Sequence, residues 1–437
     1  MVVSVLSLFP ELYTPFLNTS LIARAREKKL VDIDVYNLFE YSNPKERIDS
    51  PTFGHGAGML LRPDIMEHAI EDIQKHAGPA YKIFFSPQGK RLDQKLLRQL
   101  AHIAQQKGHM LLLPARYEGM DTRVEEHYAD LVVSLGDFVL MGGDLPSMVL
   151  MEGLLRLLPG VVGKQSSIEH ESFSGPFVDY PEYTAPVVWK GLEVPQVVRS
   201  GNHKALANWR KEHAVEKTVL HHFAWLRSHI EKEEDKRAVE KALLPHYVVL
   251  MHDQVMLEAE REGTSSVTSL DIHDIARSAR TFGIKKYFIV TPLVDQQRIV
   301  QRLLAFWLTD AGIEYNPHRH EALNKVVVVS NLDKVITIIK ELEENKDPLL
   351  IATGAKKREH QKLITYNDQE KVWALKRPVL FLLGTARGLA PQLIEKCDFL
   401  LEPIEGFSEF NHLSVRSAAA IIFDRWLGIN HASGFIE

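Results

Sequence analysis

Cysteine is almost absent from this chain of 437 residues, in which Cys397 is the single one. An internal disulfide needs two cysteines, and the usual structural zinc sites need at least two, so both are excluded. A chain without disulfides is typical of a reducing compartment. We therefore expect a cytosolic protein.

The chain also lacks long apolar runs and an excess of positive charge. No run approaches the roughly 18 apolar residues of a membrane helix, and the start, MVVSVLSLFPELY, lacks the basic region of a signal peptide, so no membrane partner is expected. The 52 Lys and Arg residues face 57 Asp and Glu, which gives a formal net charge of −5. This balance argues against non-specific nucleic-acid binding, and we expect no DNA partner. RNA binding would have to use a local basic patch.

Alternating apolar and helical patterns predict two α/β halves with parallel sheets. In the first half, strands are predicted at 2–9, 31–38, 81–86 and 109–115, and helices at 21–30 and 93–106. In the second half, strands are predicted at 246–251, 287–292, 325–331, 348–354, 378–384 and 398–404. Between the halves, residues 164–203 have no helical period and predict a long functional loop or hinge, and 203–240 is helical and rich in charge.

The sequence does not contain the common nucleotide-binding and metal-binding motifs. Gly54, Gly56 and Gly58 do not stand at a strand-to-helix turn, and Gly163-Lys164 does not complete a phosphate-binding loop. No pair of histidines has the spacing of a zinc site, and no metal ligand is predicted.

Three strand ends instead carry glycine-bearing loops, FFSPQGK at 84–90, PARYEGMD at 114–121 and SLGDFVLMGGDLPSM at 134–148. Glycine lets a backbone approach a ligand closely. Three such loops predict one pocket formed largely by backbone amides and carbonyls.

An ordered series of motifs then points to one family. The series is SLFPE (7–11), SPQGKRLDQ (86–94), RYEGMDTRV (116–124), SLGDFVLMGGDLP (134–146), LPGVVG (158–163), SGNH (200–203) and WR (209–210). It resembles the bacterial tRNA (guanine-N1)-methyltransferase family TrmD over about residues 1–240.

This resemblance implies a SPOUT-type α/β domain with a deep trefoil knot, a homodimer, and transfer of methyl from S-adenosyl-L-methionine to N1 of guanosine 37 in tRNA. The cofactor residues carried over by motif are Phe85, Ser86, Pro87, Ala115, Tyr117, Glu118, Gly119, Leu135, Gly136, Asp137, Phe138, Val139, Leu140, Gly142, Gly143 and Pro146. Mg²⁺ is a further implied cofactor, provided that the acidic contacts of the family persist here.

Methylation of guanine N1 requires a general base for its proton and a cation or donor for the charge that develops on O6. By resemblance these are Glu171, which stands where the family has aspartate, and Arg156. A second departure is FGHGAGM at 53–59, where His55 and Ala57 replace Gly and Pro of the family motif.

Substrate contacts are expected downstream of these residues. The resemblance implies Asp179 and His203 as tRNA-binding residues, together with Arg210. Basic side chains and histidines are concentrated between Arg199 and Lys217, where a local patch could neutralise phosphates.

The second half resembles SPOUT ribose 2′-O-methyltransferases through three segments, 269–292, 379–391 and 410–426. Asp271 stands in the place of their usual asparagine and Arg277 in that of their catalytic arginine, while the usual glutamate of the second motif is absent. The closest resemblance is to an RNA methyltransferase domain that occurs alone or fused to TrmD. It implies a second cofactor pocket formed by Thr353, Gly354, Leu383, Gly384, Ile404, Gly406, Leu413, Ser414 and Ala418.

The expected organisation is therefore a TrmD-like domain at 1–163, an interdomain loop and helical tRNA-binding region at 164–240, and a second knotted SPOUT domain at 241–437. The second domain methylates an unknown RNA position under this reading. Alternatively it is a non-catalytic cofactor-binding or RNA-docking module, or the first domain is the degenerate one because of Glu171 and His55.

Overall fold

The computed structural model describes residues 1–163, 171–258, 261–358 and 362–430. Its contacts divide the chain into two compact units, Met1–Ser174 and Gly175–Glu437. The three domains expected from the sequence have other boundaries and stay a prediction.

In the described part of the first unit, one sheet has five parallel strands in the order β2-β1-β6-β5-β7. A small antiparallel pair, β3 and β4, lies outside it. The strands are β1 (Val2–Ser7), β2 (Asp32–Asn37), β3 (Asp49–Pro51), β4 (Met59–Leu61), β5 (Tyr81–Arg91), β6 (His109–Leu113) and β7 (Leu131–Ser134). The α-helices are α1 (Tyr13–Leu17), α2 (Ser20–Glu27), α3 (Pro63–Ala77), α4 (Gln94–Lys107), α5 (Thr122–Tyr128) and α6 (Asp144–Leu155).

Helix α4 illustrates how the sequence sets these elements. The Asp93 carboxylate accepts a hydrogen bond from the Leu96 amide at 2.7 Å, which satisfies a free N–H group of the first turn. Leu96, Leu100 and Ala104 recur every four residues and are buried on one face. Gly108, in the left-handed conformation with φ of 76°, ends the helix.

In the described part of the second unit, the main sheet has seven parallel strands in the order β14-β13-β10-β17-β15-β18-β16. Its strands are β10 (His246–Met251), β13 (Tyr287–Val290), β14 (Val326–Val329), β15 (Leu349–Ala352), β16 (Leu363–Ile364), β17 (Val379–Gly384) and β18 (Phe399–Leu401). Two hairpin-like pairs are β8 (Val188–Trp189) with β9 (Leu192–Glu193), and β11 (Val255–Met256) with β12 (Glu262–Gly263).

The α-helices of this unit fall into a group before β10 and a group that alternates with the strands. The first group is α7 (Gln196–Arg199), α8 (His203–His221), α9 (Phe223–His229) and α10 (Glu233–Ala242). The second group is α11 (Ser269–Thr281), α12 (Val294–Trp307), α13 (Asp310–Tyr315), α14 (Pro317–Leu323), α15 (Leu332–Leu342), α16 (Gln369–Trp373), α17 (Pro391–Lys396) and α18 (Val415–Leu427).

Both faces of the seven-stranded sheet are buried. Along β10, Val248 and Leu250 belong to one apolar cluster, and Tyr247, Val249 and Met251 belong to the cluster on the opposite face. Strands covered on both sides need continuous apolar sequence, which explains why HYVVLM does not alternate with polar residues. None of the helices in the described ranges is long and apolar enough to span a membrane.

The predicted α/β class with parallel sheets in both halves is confirmed. Local differences have physical causes. Strand β5 continues to Arg91 because it pairs with β7 beyond a register shift between Phe85 and Lys90. The predicted loop at 164–203 contains the β8–β9 pair and α7 within its described residues, and the helical region at 203–240 is divided into three helices.

A buried histidine connects β10 to the helices of the second unit. The indole N–H groups of Trp373 and Trp426 donate to His246 Nε2 at 3.2 and 3.1 Å. His246 Nδ1 therefore carries the ring proton, and it donates to the Leu244 carbonyl at 2.7 Å. Burial lowers the pKa of His246 to about 4.

This pKa predicts a loss of stability on mild acidification. Because an unfolded histidine titrates near 6.5, its contribution is complete above that pH and is lost as the pH falls toward 4. Between pH 7 and 5, His246 should lower the free energy of unfolding by about 2 kcal/mol. Tryptophan fluorescence during urea titration measures this selectively, since all six tryptophans lie in the second unit.

His246→Gln should flatten the pH dependence, while His203→Gln, at an exposed position, should leave it unchanged. Equal pH slopes for the two variants would contradict the assignment.

Candidate active sites

The three glycine-bearing loops of the first unit meet at the carboxyl ends of β5, β6 and β7. Lys90 and Arg91 of β5 pair with Val133 and Ser134 of β7. The Gly143 amide donates to the Ala115 carbonyl at 2.7 Å. These contacts bring together the segments that contain all the cofactor residues predicted for the first half.

The backbones approach so closely that side chains would not fit. A Cβ on Gly143 would lie 2.8 Å from Cα of Pro114, and one on Gly89 would lie 2.7 Å from backbone atoms of Val132 and Val133. Such distances require glycine. The loops therefore form a cradle of main-chain groups, which suits a ligand recognised through its polar edges.

Asp144 holds this cradle together. Its carboxylate is 2% exposed and accepts hydrogen bonds from the Ser7 hydroxyl at 2.6 Å, the Tyr13 hydroxyl at 3.1 Å and Arg116 Nε at 2.8 Å. Burial and the Asp144 carboxylate raise the pKa of Tyr13 well above its usual range, so this phenol remains a donor. The buried Asp144 carboxylate thus connects the end of β1 and the loop after β6 to the start of α6.

The loop at 53–59 packs beside this cradle. The Glu118 amide donates to the Met59 carbonyl at 3.1 Å, and the Leu61 amide donates to Gly119 at the same distance. Tyr117 has a φ of 58° and is half exposed. His55, one of the departures from the family motif, therefore belongs to a loop that contacts the predicted cofactor segment.

Glu171 and Arg156 form a bidentate ion pair. Arg156 Nη1 and Nη2 donate to the two carboxylate oxygens at 2.8 and 2.6 Å, and Gln94 Nε2 donates to Glu171 Oε1 at 3.4 Å. The pair raises the pKa of the Arg156 guanidinium. The structure thus brings the two predicted catalytic residues together, beside the last residue of the SPQGKRLDQ motif.

The predicted substrate residues Asp179, His203 and Arg210 belong to the second unit. His203 is the exposed first residue of α8, and the Arg210 guanidinium lies 4.5 Å from the ring centre of Tyr180. Asp179 is half-buried.

In the second unit, the predicted pocket segments meet at the carboxyl ends of β15, β17 and β18. The Thr353 hydroxyl donates to the Leu382 carbonyl at 2.8 Å, and Asn411 Nδ2 donates to Ala355 at 2.7 Å. Ser414 caps the start of α18. Leu383 is buried, Ile404 and Ala418 are half-buried, and Gly354, Gly384, Gly406 and Leu413 are at least partly exposed around them.

The two motif positions on α11 have different surroundings. Asp271 is buried and lies 3.4 Å from Arg416 Nη1, and Asp274 lies 3.5 Å from Arg416 Nε. Arg277 is exposed, and no side-chain hydrogen bond or ion pair joins it to the described pocket segments. The arginine of the third motif, and not that of the first, is the partner of Asp271.

A chain of half-buried hydroxyls, which begins at the buried His252, lies at the end of β10. The Thr385 hydroxyl donates to the Met251 carbonyl, so Ser265 must donate to Thr385. His252 Nδ1, 3.0 Å from Ser265 Oγ, must then carry the ring proton. Burial lowers the pKa of His252 to about 4. This network fixes the loop after β10 against the end of β17.

No group of three His, Cys, Asp or Glu side chains that could hold a metal ion is found in the parts of the chain that the structure describes.

Comparison with known proteins matches both halves of the chain. A family model described as tRNA (guanine-1)-methyltransferase TrmD matches residues 1–227, and one described as SAM-dependent RNA methyltransferase matches 245–428. Proteins named tRNA (guanine-N(1)-)-methyltransferase from Oleidesulfovibrio alaskensis and Nitratidesulfovibrio vulgaris are 37% and 36% identical, over 97% of this chain and 99% of each relative. A protein of that name from Bacillus subtilis is 39% identical over 54% of this chain and 97% of its own length.

The chain belongs to the TrmD family.

Both predicted resemblances are thereby confirmed, the TrmD-like first half and the second RNA methyltransferase domain. The sequence did not assign the roles of two residues, Asp144 and Arg416. Asp144 is an acidic residue within the largely apolar SLGDFVLMGGDLP motif. This contrast could have indicated that its carboxylate is buried and paired with a cation such as Arg116. Arg416 has no local signal for its role, because only the fold brings it to Asp271.

Asp144 should be essential for the stability of the first unit. Asp144→Asn keeps the shape of the side chain but leaves the Arg116 guanidinium without its counter-ion. This should lower the free energy of unfolding by on the order of 3 kcal/mol. Hydrogen exchange in peptides from residues 1–163 measures this loss. Asp137→Asn, the same change at an exposed position of the same motif, is the control. Indistinguishable exchange in the two variants would show that the buried carboxylate does not hold the loops.

Proposed function

We propose that the first half transfers a methyl group from S-adenosyl-L-methionine to N1 of guanosine 37 in tRNA. The observation that carries this proposal is the bidentate Arg156–Glu171 pair with Gln94 beside it. Membership of the TrmD family supports the reaction, since the relatives carry the name of that activity.

The chemistry follows from the two side chains. Glu171 takes the N1 proton, and Arg156 donates to O6 as negative charge develops there. S-adenosyl-L-methionine supplies an electrophilic methyl on a sulfonium, so that the N1–CH₃ bond forms as the S–CH₃ bond breaks and the sulfur leaves neutral.

The ion pair also restrains this reaction before substrate binds. Both oxygens of the Glu171 carboxylate accept hydrogen bonds from the guanidinium, which holds the carboxylate on Arg156. Guanine O6 competes for the same arginine donors, so its arrival frees the carboxylate as it occupies Arg156. We infer that substrate binding activates the base.

The proposed cofactor site is the glycine cradle with the predicted residues around it. Main-chain groups that no Cβ obstructs suit the adenine and methionine ends of the cofactor. We propose the trefoil knot of the SPOUT fold at this position, a proposal supported by β5, which pairs with β6 on one side and with the returning β7 on the other.

We further propose a homodimer. Phe138, Val139 and Met141 of the cradle are 55, 82 and 91% exposed, and Leu145 and Val149 of α6 are also exposed. Exposed apolar side chains this close together in the sequence favour a protein partner, and a second copy fits the family. A cytosolic location is proposed from the lone buried Cys397, whose pKa burial raises to about 12. No step is assigned to Mg²⁺, since the described residues offer no ligand cluster.

Glu171→Gln should lower kcat for 1-methylguanosine formation by roughly 10² to 10⁴, the contribution of a general base. Glu171→Asp keeps a carboxylate but shortens the side chain by one methylene, so its kcat should lie between those of the unaltered chain and Glu171→Gln. Nuclease digestion and nucleoside analysis of tRNA transcripts measure the product.

The matched control is Glu152→Gln, an exposed glutamate one turn before Arg156. If Glu171→Gln is as active as Glu152→Gln, then Glu171 is not the base.

For the second half, we propose methylation of an RNA, with a ribose 2′-hydroxyl as the acceptor. The support is the match of residues 245–428 to an RNA methyltransferase family and the assembly of three pocket segments at one sheet edge. The alternative, a non-catalytic cofactor-binding or RNA-docking module, is favoured by the missing glutamate and by Asp271 in the asparagine place.

Arg277→Ala tests the second site. If Arg277 activates the hydroxyl, this change should lower second-domain methylation at least about tenfold. Arg280→Ala removes a neighbouring exposed arginine of the same helix, paired with Glu321, and should have little effect. Methyl incorporation into RNA by a Glu171→Ala chain measures the second site alone. Equal activities of the Arg277 and Arg280 variants would remove Arg277 from the mechanism.

A further inference from the structure

The helices before β10 share a hydrophobic core with the second methyltransferase domain. Val215, Val219 and Phe223 of α8 and α9 belong to the same apolar cluster as residues of the sheet and of α18. Phe223 contacts Trp373 edge-on, with ring centres 4.8 Å apart. The helical region that the TrmD family model covers therefore belongs to the second unit.

Arg227 adds a polar connection to this core. Its guanidinium donates to the carbonyls of Asp424, Arg425 and Gly428 at 2.6 to 2.7 Å, and the Asn430 amide donates to the Arg227 carbonyl at 2.8 Å. These carbonyls lie at the end of α18, where the helix dipole favours a cation, and the Asp424 carbonyl also accepts from the Gly428 amide at 2.8 Å. Burial lowers the pKa of Arg227 from its ordinary value, and the Asp424 charge opposes this shift.

One side of α8 carries a basic stripe. His203, Arg210 and Lys217 are seven residues apart, which places them on one face of the helix along about 21 Å. Val215 and Val219 are buried on another face of the helix, while Ala214 is buried beside the stripe, between the half-buried Arg210 and the exposed Lys217. A stripe of this length and charge matches several successive phosphates of an RNA backbone.

We infer that the RNA substrate of the second domain is tRNA, held by the basic stripe of α8. This inference rests on the proposed tRNA binding by the helical region. Because α8 and the second domain share one core, an RNA held by the stripe is held by the second domain.

The test uses the full chain with Glu171→Ala, so that methyl incorporation reports the second domain alone. Radiolabelled S-adenosyl-L-methionine is supplied with a complete set of tRNA transcripts or with ribosomal RNA transcripts. We expect label in tRNA. Adding Arg210→Glu and Lys217→Glu should raise KM for tRNA at least about tenfold and leave kcat within about twofold, since the stripe docks the RNA and does no chemistry.

The control reverses the same amount of charge elsewhere in the second unit. Lys285 and Lys376 are exposed and precede β13 and β17, at the amino edge of the sheet, away from the pocket segments. Lys285→Glu with Lys376→Glu should leave KM within about twofold. Tryptophan fluorescence verifies that each variant is folded.

Three outcomes would overturn the inference. They are label in ribosomal RNA and none in tRNA, no label in either RNA, or a KM for tRNA that the α8 reversals leave unchanged. Failure of the proposed first reaction can be distinguished from these outcomes. It would appear as the absence of 1-methylguanosine from tRNA treated with the unaltered chain.

Discussion

A single buried carboxylate organises the first unit. Asp144 lies at the start of α6 among apolar residues, and a charge in that position is tolerated only with partners. Its partners come from the end of β1, from α1 and from the loop after β6. Satisfying that charge draws together the segments in which the cofactor residues are proposed, and it explains why so many motifs meet at one sheet edge.

The catalytic proposal depends on the same geometry. Helix α6 begins at Asp144 and leads to Arg156, so the buried carboxylate indirectly sets the position of the arginine that binds Glu171. A glutamate reaches one methylene further than the aspartate of the family, and the bidentate pair shows that the arginine accommodates this length. A small displacement of a catalytic group is costly, so this accommodation matters.

Much of the fold was predictable because parallel strands leave a strong apolar signal and their carboxyl edges collect glycine loops. The β8–β9 pair was not, since strands of two residues have no period to detect. The extension of β5 to Arg91 was hidden by Pro87 and Gly89, which are read as loop residues. The role of Arg227 was not predictable from the sequence. The carbonyls that its guanidinium binds are about 200 residues away along the chain, and no local pattern encodes such a contact.

The most direct test of the central claim compares two tRNA transcripts that differ only in guanosine or adenosine at position 37. Each is incubated with the unaltered chain and labelled S-adenosyl-L-methionine, then digested to nucleosides. The account predicts labelled 1-methylguanosine from the G37 transcript and none from the A37 transcript. Labelled 1-methylguanosine in equal amounts from both, or its absence from both, would contradict it.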